Sequence, residues 1–318
     1  MNLKKGIVQV TDISAVLERL ELPKLPAKLP GEIIDSHTHA DTTQEYSSLR
    51  PTDNLLAAAE VGVRRIVQIG CDVASSQWAV RLATTHPQVI AGVAVHPNDV
   101  VRKSRKQLDQ DLTVIDSLAG SSRQVRAVGE SGLDYFRLDA KNGKLADQIA
   151  QQKYAFRRHV EIAKAHDLTL AIHSRRAGSG LEVPDALSDV ADILDEMGWP
   201  KRTIFHCFSG DSQFASRAIA AGAYLSFAGN LTYPANRQLQ AAMLVTPADR
   251  LLVETDAPFL TPIPERGKKN APYLIAHTVR FMAAQRGVAL AQLCRELSAN
   301  AFSAYGGSWG ITCEQGEI

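Results

Sequence analysis

Ile33-Ile34-Asp35-Ser36-His37-Thr38-His39 is a short apolar run that ends in two imidazoles one residue apart. In extended backbone alternate side chains share a face, and the Cα atoms of such a pair lie ~6.5 to 7 Å apart, close enough for both rings to close on one ion. The same layout recurs down the chain. Glu130 follows Val125 to Val128, His173 follows Leu168 to Ile172, His206 follows Thr203 to Phe205, and Asp256 follows Leu251 to Val253. Apolar strand interiors with ligand-type residues at their ends are what parallel strands produce when they present chemistry at their C-terminal edge.

Outward from these runs, strands are expected at 33–37, 65–70, 90–95, 125–130, 168–173, 202–206, 223–228 and 250–255. Amphipathic helical stretches at 53–61, 75–85, 148–166, 185–197, 212–221 and 237–245 separate them, and helices at 273–286 and 289–303 finish the pattern. Strands separated by helices indicate parallel βαβ units, and eight of them close into a (β/α)8 barrel more readily than they form an open sheet. A doubly wound sheet is the competing topology; it would string the six ligand candidates along a line instead of around a ring. The expected organisation is therefore α/β, with one barrel domain over 32–305, an N-terminal extension over 1–31 and a loosely held tail over 306–318. Pro23, Pro26 and Pro30 mark the extension as a lead into the first strand rather than a core element.

Composition bounds the function. With 318 residues, 45% of them hydrophobic, the chain can bury a full core. Its 35 basic and 34 acidic side chains leave a net charge of +1, so no bulk field holds nucleic acid or an anionic membrane, and any phosphate binding must be local. The first apolar stretch breaks at Thr11-Asp12, too soon for a signal peptide, and no run reaches the ~18 apolar residues of a membrane span. Cys71, Cys207, Cys294 and Cys313 lie far apart without a CxxC pair, which argues against a disulfide framework or a cysteine-rich zinc module. A cytoplasmic protein with no membrane partner and no obligate protein partner is the expectation.

Several neighbours of the candidate ligands carry open alternatives. Asp35 can face the way His37 does and support it, or simply end the strand, and Asp134 is a weaker candidate than Glu130 that can also act as a loop cap. Glu254 and Asp256 have the same parity, so spacing does not choose between them. Cys207 is expected on the opposite side of its strand from His206, in the core. His86, His159, His166 and His277 fall in helical stretches and read as structural or exposed. Imidazoles beside carboxylates suit Mg, Mn or Zn without selecting sharply among them.

The strings IIDSHTHAD, GVAVHPNDV, VGESGLDYFR, AIHSRRA, FHCFSGD, YLSFAGNLTYP and LLVETDAPFLTP resemble the successive signatures of the TatD-like metal-dependent hydrolases, a deoxyribonuclease family of the amidohydrolase superfamily. The likeness runs from about Ile33 to about Tyr305. It implies a TIM barrel, a site for two divalent metal ions, and hydrolysis of phosphodiester bonds, often exonucleolytically on DNA. By position, it implies that His37, His39, Glu130 and Asp256 hold one ion while Glu130, His173 and His206 hold the other, and it favours Asp256 over Glu254. Two departures stand out. His96-Pro97 is followed by Asn98-Asp99, where the family usually has another histidine or similar polar residue, and the stretch from Arg175 to Pro184 is longer and richer in glycine than the turn often found there.

Two such ions lower the pKa of a shared water toward neutrality, so no serine or cysteine nucleophile is needed. Asp256 is the expected residue to orient or deprotonate that water, with Glu130 holding the ions at working distance. Phosphate contacts are sought among Arg137, Arg175, Arg176, Arg266, Lys268 and Lys269, with His96 also in reach of substrate. Tyr135, Tyr233 and Phe208 are candidates to stack on a base. Two alternatives compete with the nuclease: a bimetallic amide, ester or lactone hydrolase of the same superfamily, and a metal-stabilised protein that binds nucleic acid without cutting it.

Overall fold

A short helix, α1 (Ile13–Arg19), is capped by Asp12, whose carboxylate accepts from the backbone N–H groups of Ser14 and Ala15. This computed structural model describes residues 11–139, 145–178 and 180–310. After α1 come β1 (Ile33–Thr38), α2 (Ala40–Ser47), α3 (Pro51–Glu60), β2 (Val63–Ile69), α4 (Val73–Thr85), β3 (Val89–Val93), α5 (Pro97–Val100), α6 (Arg105–Ala119) and β4 (Val125–Asp134). The second half runs α7 (Leu145–Ala165), β5 (Thr169–Arg175), α8 (Ala186–Met197), β6 (Thr203–Phe205), α9 (Ser212–Ala220), β7 (Tyr224–Phe227), α10 (Arg237–Val245), β8 (Leu251–Val253), α11 (Ile275–Arg286) and α12 (Leu290–Ala304). Local chemistry starts several helices sharply. Pro51 opens α3, and Asp72 with Ser75 and Ser104 with Gln107 form reciprocal capping boxes on α4 and α6.

The strands lie side by side in chain order, each parallel to the next. The ring closes where β8 returns to β1. Ser36 donates its hydroxyl to Val253 O at 2.9 Å, the Asp256 N–H reaches His37 O at 3.0 Å, and the His39 N–H reaches Ala257 O at 2.9 Å. A TIM barrel results, and the doubly wound alternative, which needs a strand order that reverses, is excluded.

Two apolar layers hold it. One packs the outer faces of the strands against the helices. The other fills the inside: Ile34, Val67, Ile69, Ile90, Ala127, Ile204, Tyr224 and Leu252 meet Ala301, Ala304, Tyr305 and Trp309 from the last helix and the residues after it. Tyr305, almost fully buried, donates its hydroxyl to Ser36 O at 2.7 Å.

At both ends the described residues are tied down more firmly than their sequences suggest. In the N-terminal extension Ile13, Leu17, Leu22 and Leu29 belong to the outer apolar layer, and Tyr273 donates its hydroxyl to Pro23 O at 2.8 Å. Residues 11–31 thus run along the barrel wall with these apolar side chains buried against it. In the expected loose tail, Trp309 is 5% exposed, the Arg126 guanidinium donates to the carbonyls of Tyr305, Gly306, Gly307 and Ser308, and Arg65 donates to Trp309 O. The rest of the tail, 311–318, the first ten residues and Ser179 lie outside the described residues. No helix among the described residues is long and apolar enough to cross a membrane.

Candidate metal centre

β4 runs four residues past its expected end, to Asp134. Its register against β5 shifts between Val128 and Ser131, with the Gly129–Glu130 peptide bond cis. Two glycines allow the strands to stay this close. A Cβ at Gly129 would lie 2.6 Å from Ala171, and one at Gly132, whose φ is +146°, would lie 1.9 Å from His173 O. The shift delivers Glu130 to the middle of the barrel mouth, beside His173.

There its carboxylate divides between two groups of imidazoles. Oε2 faces His37 Nε2 and His39 Nε2, each at 3.7 Å, and Asp256 Oδ1 completes this group at 4.0 Å from His37 Nε2 and 3.5 Å from His39 Nε2. Oε1 faces His173 Nδ1 at 2.5 Å, His206 Nε2 at 2.8 Å and His96 Nε2 at 3.4 Å, with His206 Nε2 and His173 Nδ1 3.4 Å apart. Two ligands of one tetrahedral ion at ~2.0–2.1 Å are separated by roughly 3.4 Å, so the first group has the spacing of a coordination shell rather than of hydrogen-bonded partners.

His37 gives the sharpest evidence that these residues fit a cation. It is fully buried, and both of its ring nitrogens lack a hydrogen-bond partner. An unsatisfied buried imidazole costs about 1–3 kcal/mol, which coordination through Nε2 would offset. The remaining histidines are aimed by their far nitrogens. His39 Nδ1 lies 3.1 Å from Ile69 O, His96 Nδ1 accepts from the Asn98 N–H at 3.0 Å, His173 Nε2 meets Asp134 Oδ2 at 3.2 Å, and His206 Nδ1 meets Glu254 Oε1 at 3.2 Å. Such outer contacts fix tautomer and ring orientation in metal sites.

The parity question resolves here. Glu254 is fully buried behind His206, where it also accepts from the Cys207 N–H at 2.7 Å, while Asp256 reaches the cluster. Strand geometry ends before Asp256, whose φ is +53°. A non-glycine residue held in the left-handed region costs about 1–3 kcal/mol and persists where its surroundings over-determine it. Hydrogen bonds do so on both sides, since the Asp256 N–H donates to His37 O and its carbonyl accepts from the Phe259 N–H. Cys207 has φ +39° for a comparable reason, and the turn swings its side chain into the cavity instead of the core expected for it. Asp35 takes the supporting role on the β1–β8 seam, accepting from the N–H and hydroxyl of Thr255 and the N–H of His37.

Charge is tightly shared. Burial would raise Glu130, but His206, His96 and His173 outweigh it and hold the carboxyl well below its usual range. For His173, burial alone would depress the ring, yet Glu130 and Asp134 together lift it to about 8. The metal-free ring therefore carries a proton at neutral pH that coordination must expel. Metal affinity is accordingly expected to rise with pH through about 8, with proton release seen as buffer-dependent binding enthalpy in calorimetry. Affinity flat between about pH 6 and 8 would contradict this. Both thiols near the site stay protonated, since burial pushes Cys71 up to about 11 and Cys207 well above its ordinary value.

A cavity of about 640 Å³ opens above the cluster, lined by His39, His96, Glu130, His173, His206 and Asp256 together with Arg102, Arg137 and Arg175. His37 lies beneath it. Other expected substrate contacts fall elsewhere. Tyr135 is fully buried with its hydroxyl on Asp189 at 2.8 Å, and Phe208 is 2% exposed in the outer layer, so neither can stack on a base. Arg266 lies over the Tyr233 ring, 4.2 Å from its centroid, and Lys268 pairs with Glu265 at 2.6 Å; both stand outside the cavity lining. Arg176 is taken by Asp185 at 2.7 Å. His159 is buried and accepts from the Val95 N–H at 3.1 Å, next to His96. Cys71 and Phe259, neither singled out from the sequence, line the cavity.

A parallel barrel carrying buried imidazoles and carboxylates at its C-terminal mouth, grouped to hold cations, defines a metal-dependent hydrolase. The profile of the TatD-related DNase family matches residues 34–306, and the chain belongs to that family. Among curated proteins it is 33% identical over 277 residues to the uncharacterized metal-dependent hydrolase TatD of Mycobacterium tuberculosis, covering 87% of this chain and 99% of that one. It is 29% identical over 270 residues to the uncharacterized metal-dependent hydrolase YcfH of Escherichia coli, covering 84% and 93%. Among solved structures, the TatD homolog YjjV of Escherichia coli shares the fold with a TM-score of 0.73 at 24% identity, over 87% of this chain and 98% of that one.

Proposed function

We propose that this protein is a divalent-metal-dependent phosphodiesterase that hydrolyses DNA from an end. The observation that carries the reading is the bridging position of Glu130, one oxygen toward His37 and His39 and the other toward His173 and His206, beneath a cavity rimmed by arginines. Membership of a family described as DNase-related supports it.

The donor set fits two divalent ions of the Mg, Mn or Zn class, held by His37, His39, Glu130 and Asp256 on one side and by Glu130, His173 and His206 on the other. Bound there, such a pair would supply the charge that lowers the pKa of water and neutralises phosphoryl oxygens. The chain's own residues do the rest. Asp256 places Oδ1 at the cavity floor, where a carboxylate can orient a water and take its proton. Arg137 and Arg175 present guanidinium groups suited to phosphate oxygens. His96, by its position beside Glu130 Oε1, joins the second group or meets the leaving group. Protonated thiols leave no cysteine nucleophile to compete. Attack at an end is favoured by the burial of the cluster, whose side chains are exposed by no more than 17% at the base of the cavity.

Purified protein supplied with manganese or magnesium is expected to release nucleotides from a single-stranded oligonucleotide and to stop when EDTA is added. An intact oligonucleotide beside cleavage in a panel of amides, esters and lactones would transfer the assignment to the other hydrolase class. Oligonucleotide bound but uncut under all metals would leave only a binding protein.

A further inference from the structure

Three exposed aromatic side chains lie at or next to the cavity, Phe259 in its lining and Phe136 and Tyr46 against the lining residues Arg175 and Phe259, and they fall on opposite sides of it. Phe136, just after β4, is 50% exposed, and the Arg175 guanidinium at the end of β5 lies over its ring at 3.9 Å from the centroid. Phe259, just after the β8 turn, lines the cavity at 45% exposure, and Tyr46 of α2, which follows β1, meets it edge-on with centroids 5.9 Å apart. Strands run in order around the ring, so the β4–β5 seam faces the β8–β1 seam across the mouth. The metal-ligand cluster lies between them.

Of the other aromatics next to the site, Tyr135 and Phe208 are buried, and Tyr233 is half-buried with Arg266 over its ring outside the cavity lining. Exposing large rings forfeits apolar burial that their neighbours gain, and rings left out at a cavity rim mark a binding surface. A ring face flanked by a guanidinium is a platform for a flat π system, and its occupant must also carry the group that the arginines and the cluster handle. An unpaired nucleotide strand meets both demands. Its phosphates suit Arg137 and Arg175, and its bases have π faces on either side of each phosphate.

We infer that the Phe136–Arg175 and Phe259–Tyr46 pairs are two base-stacking platforms, each holding a nucleobase on its own side of the phosphodiester to be cut. The inference rests on the phosphodiesterase reading and adds specificity-determining residues to it. Bases inside a duplex have both faces covered, so a platform receives a base only after that base has unstacked. Grip on the substrate thereby comes from the bases as well as the backbone, and one base-free nucleotide should weaken it as much as loss of a ring.

An oligonucleotide carrying 2-aminopurine beside the cleaved bond separates the possibilities, with binding read as fluorescence quenching and cleavage followed in parallel. Wild-type protein should quench the probe, whereas Phe136→Leu and Phe259→Leu should each weaken binding roughly 5- to 100-fold with unchanged unfolding temperature and metal content. Placing a base-free residue at the stacked position should lower wild-type affinity to the level of the variant and leave the variant unaffected. Wild-type quenching and affinity in both leucine variants would overturn the platforms. Quenching without cleavage by the wild type would remove the nuclease reading and keep them, while cleavage without quenching would do the reverse.

Discussion

Glu130→Gln is expected to lose metal from both halves of the centre and to reduce turnover by about 10³-fold or more. Glutamine keeps the shape of the side chain but replaces one oxygen with an amide nitrogen that cannot coordinate, and it removes the charge. Each carboxylate oxygen faces a different group of imidazoles, so no orientation of the amide restores both. The loss spreads further, because Glu130 is a principal reason that His173 and His206 sit above the ordinary imidazole range. Without it each ring loses one of the carboxylates that lift it, leaving Asp134 beside His173 and Glu254 beside His206. Elemental analysis beside turnover checks the prediction, and a Glu130→Gln protein with full metal content would refute the bridging role.

Asp256→Ala should behave differently, with turnover falling by a similar factor, about 10³-fold, while much of the metal stays bound. Three donors of its group, His37, His39 and Glu130, remain in place, and Glu130, His173 and His206 keep their contacts with one another. What disappears is the cavity-floor carboxylate proposed to orient the attacking water. An unchanged phosphodiesterase rate in this variant would remove Asp256 from the chemistry. The contrast matters more than either number: one substitution empties the centre, the other silences it.

Much of this was legible in the residues. Short apolar runs leading to His37, Glu130, His173, His206 and Asp256 located the strands, because parallel strands buried on both faces are rich in apolar residues, although β4 and β5 run on to Asp134 and Arg175. The supporting contacts were less visible. Asp134 and Glu254 aim His173 and His206 across strand boundaries, from 39 and 48 residues away, and no local pattern carries that information. Cys207 was misplaced because alternation holds only while backbone stays extended, and its positive φ breaks the rule one residue after His206. Tyr135 and Phe136 show the same limit. They are adjacent aromatics at a strand end, yet one is fully buried and the other half exposed, and only packing against α8 decides which. Proline content likewise hid the role of the first described residues, since an extended segment can seal a barrel wall without forming regular structure.

Tyr305 and Trp309 plug the end of the barrel opposite the metal centre, so the cavity does not run through to that end. Whatever is released by the reaction then leaves on the side of the barrel at which the next molecule arrives. Accumulating product should then compete with incoming substrate for the same passage, and the pace of repeated cycles is tied to how quickly that doorway clears.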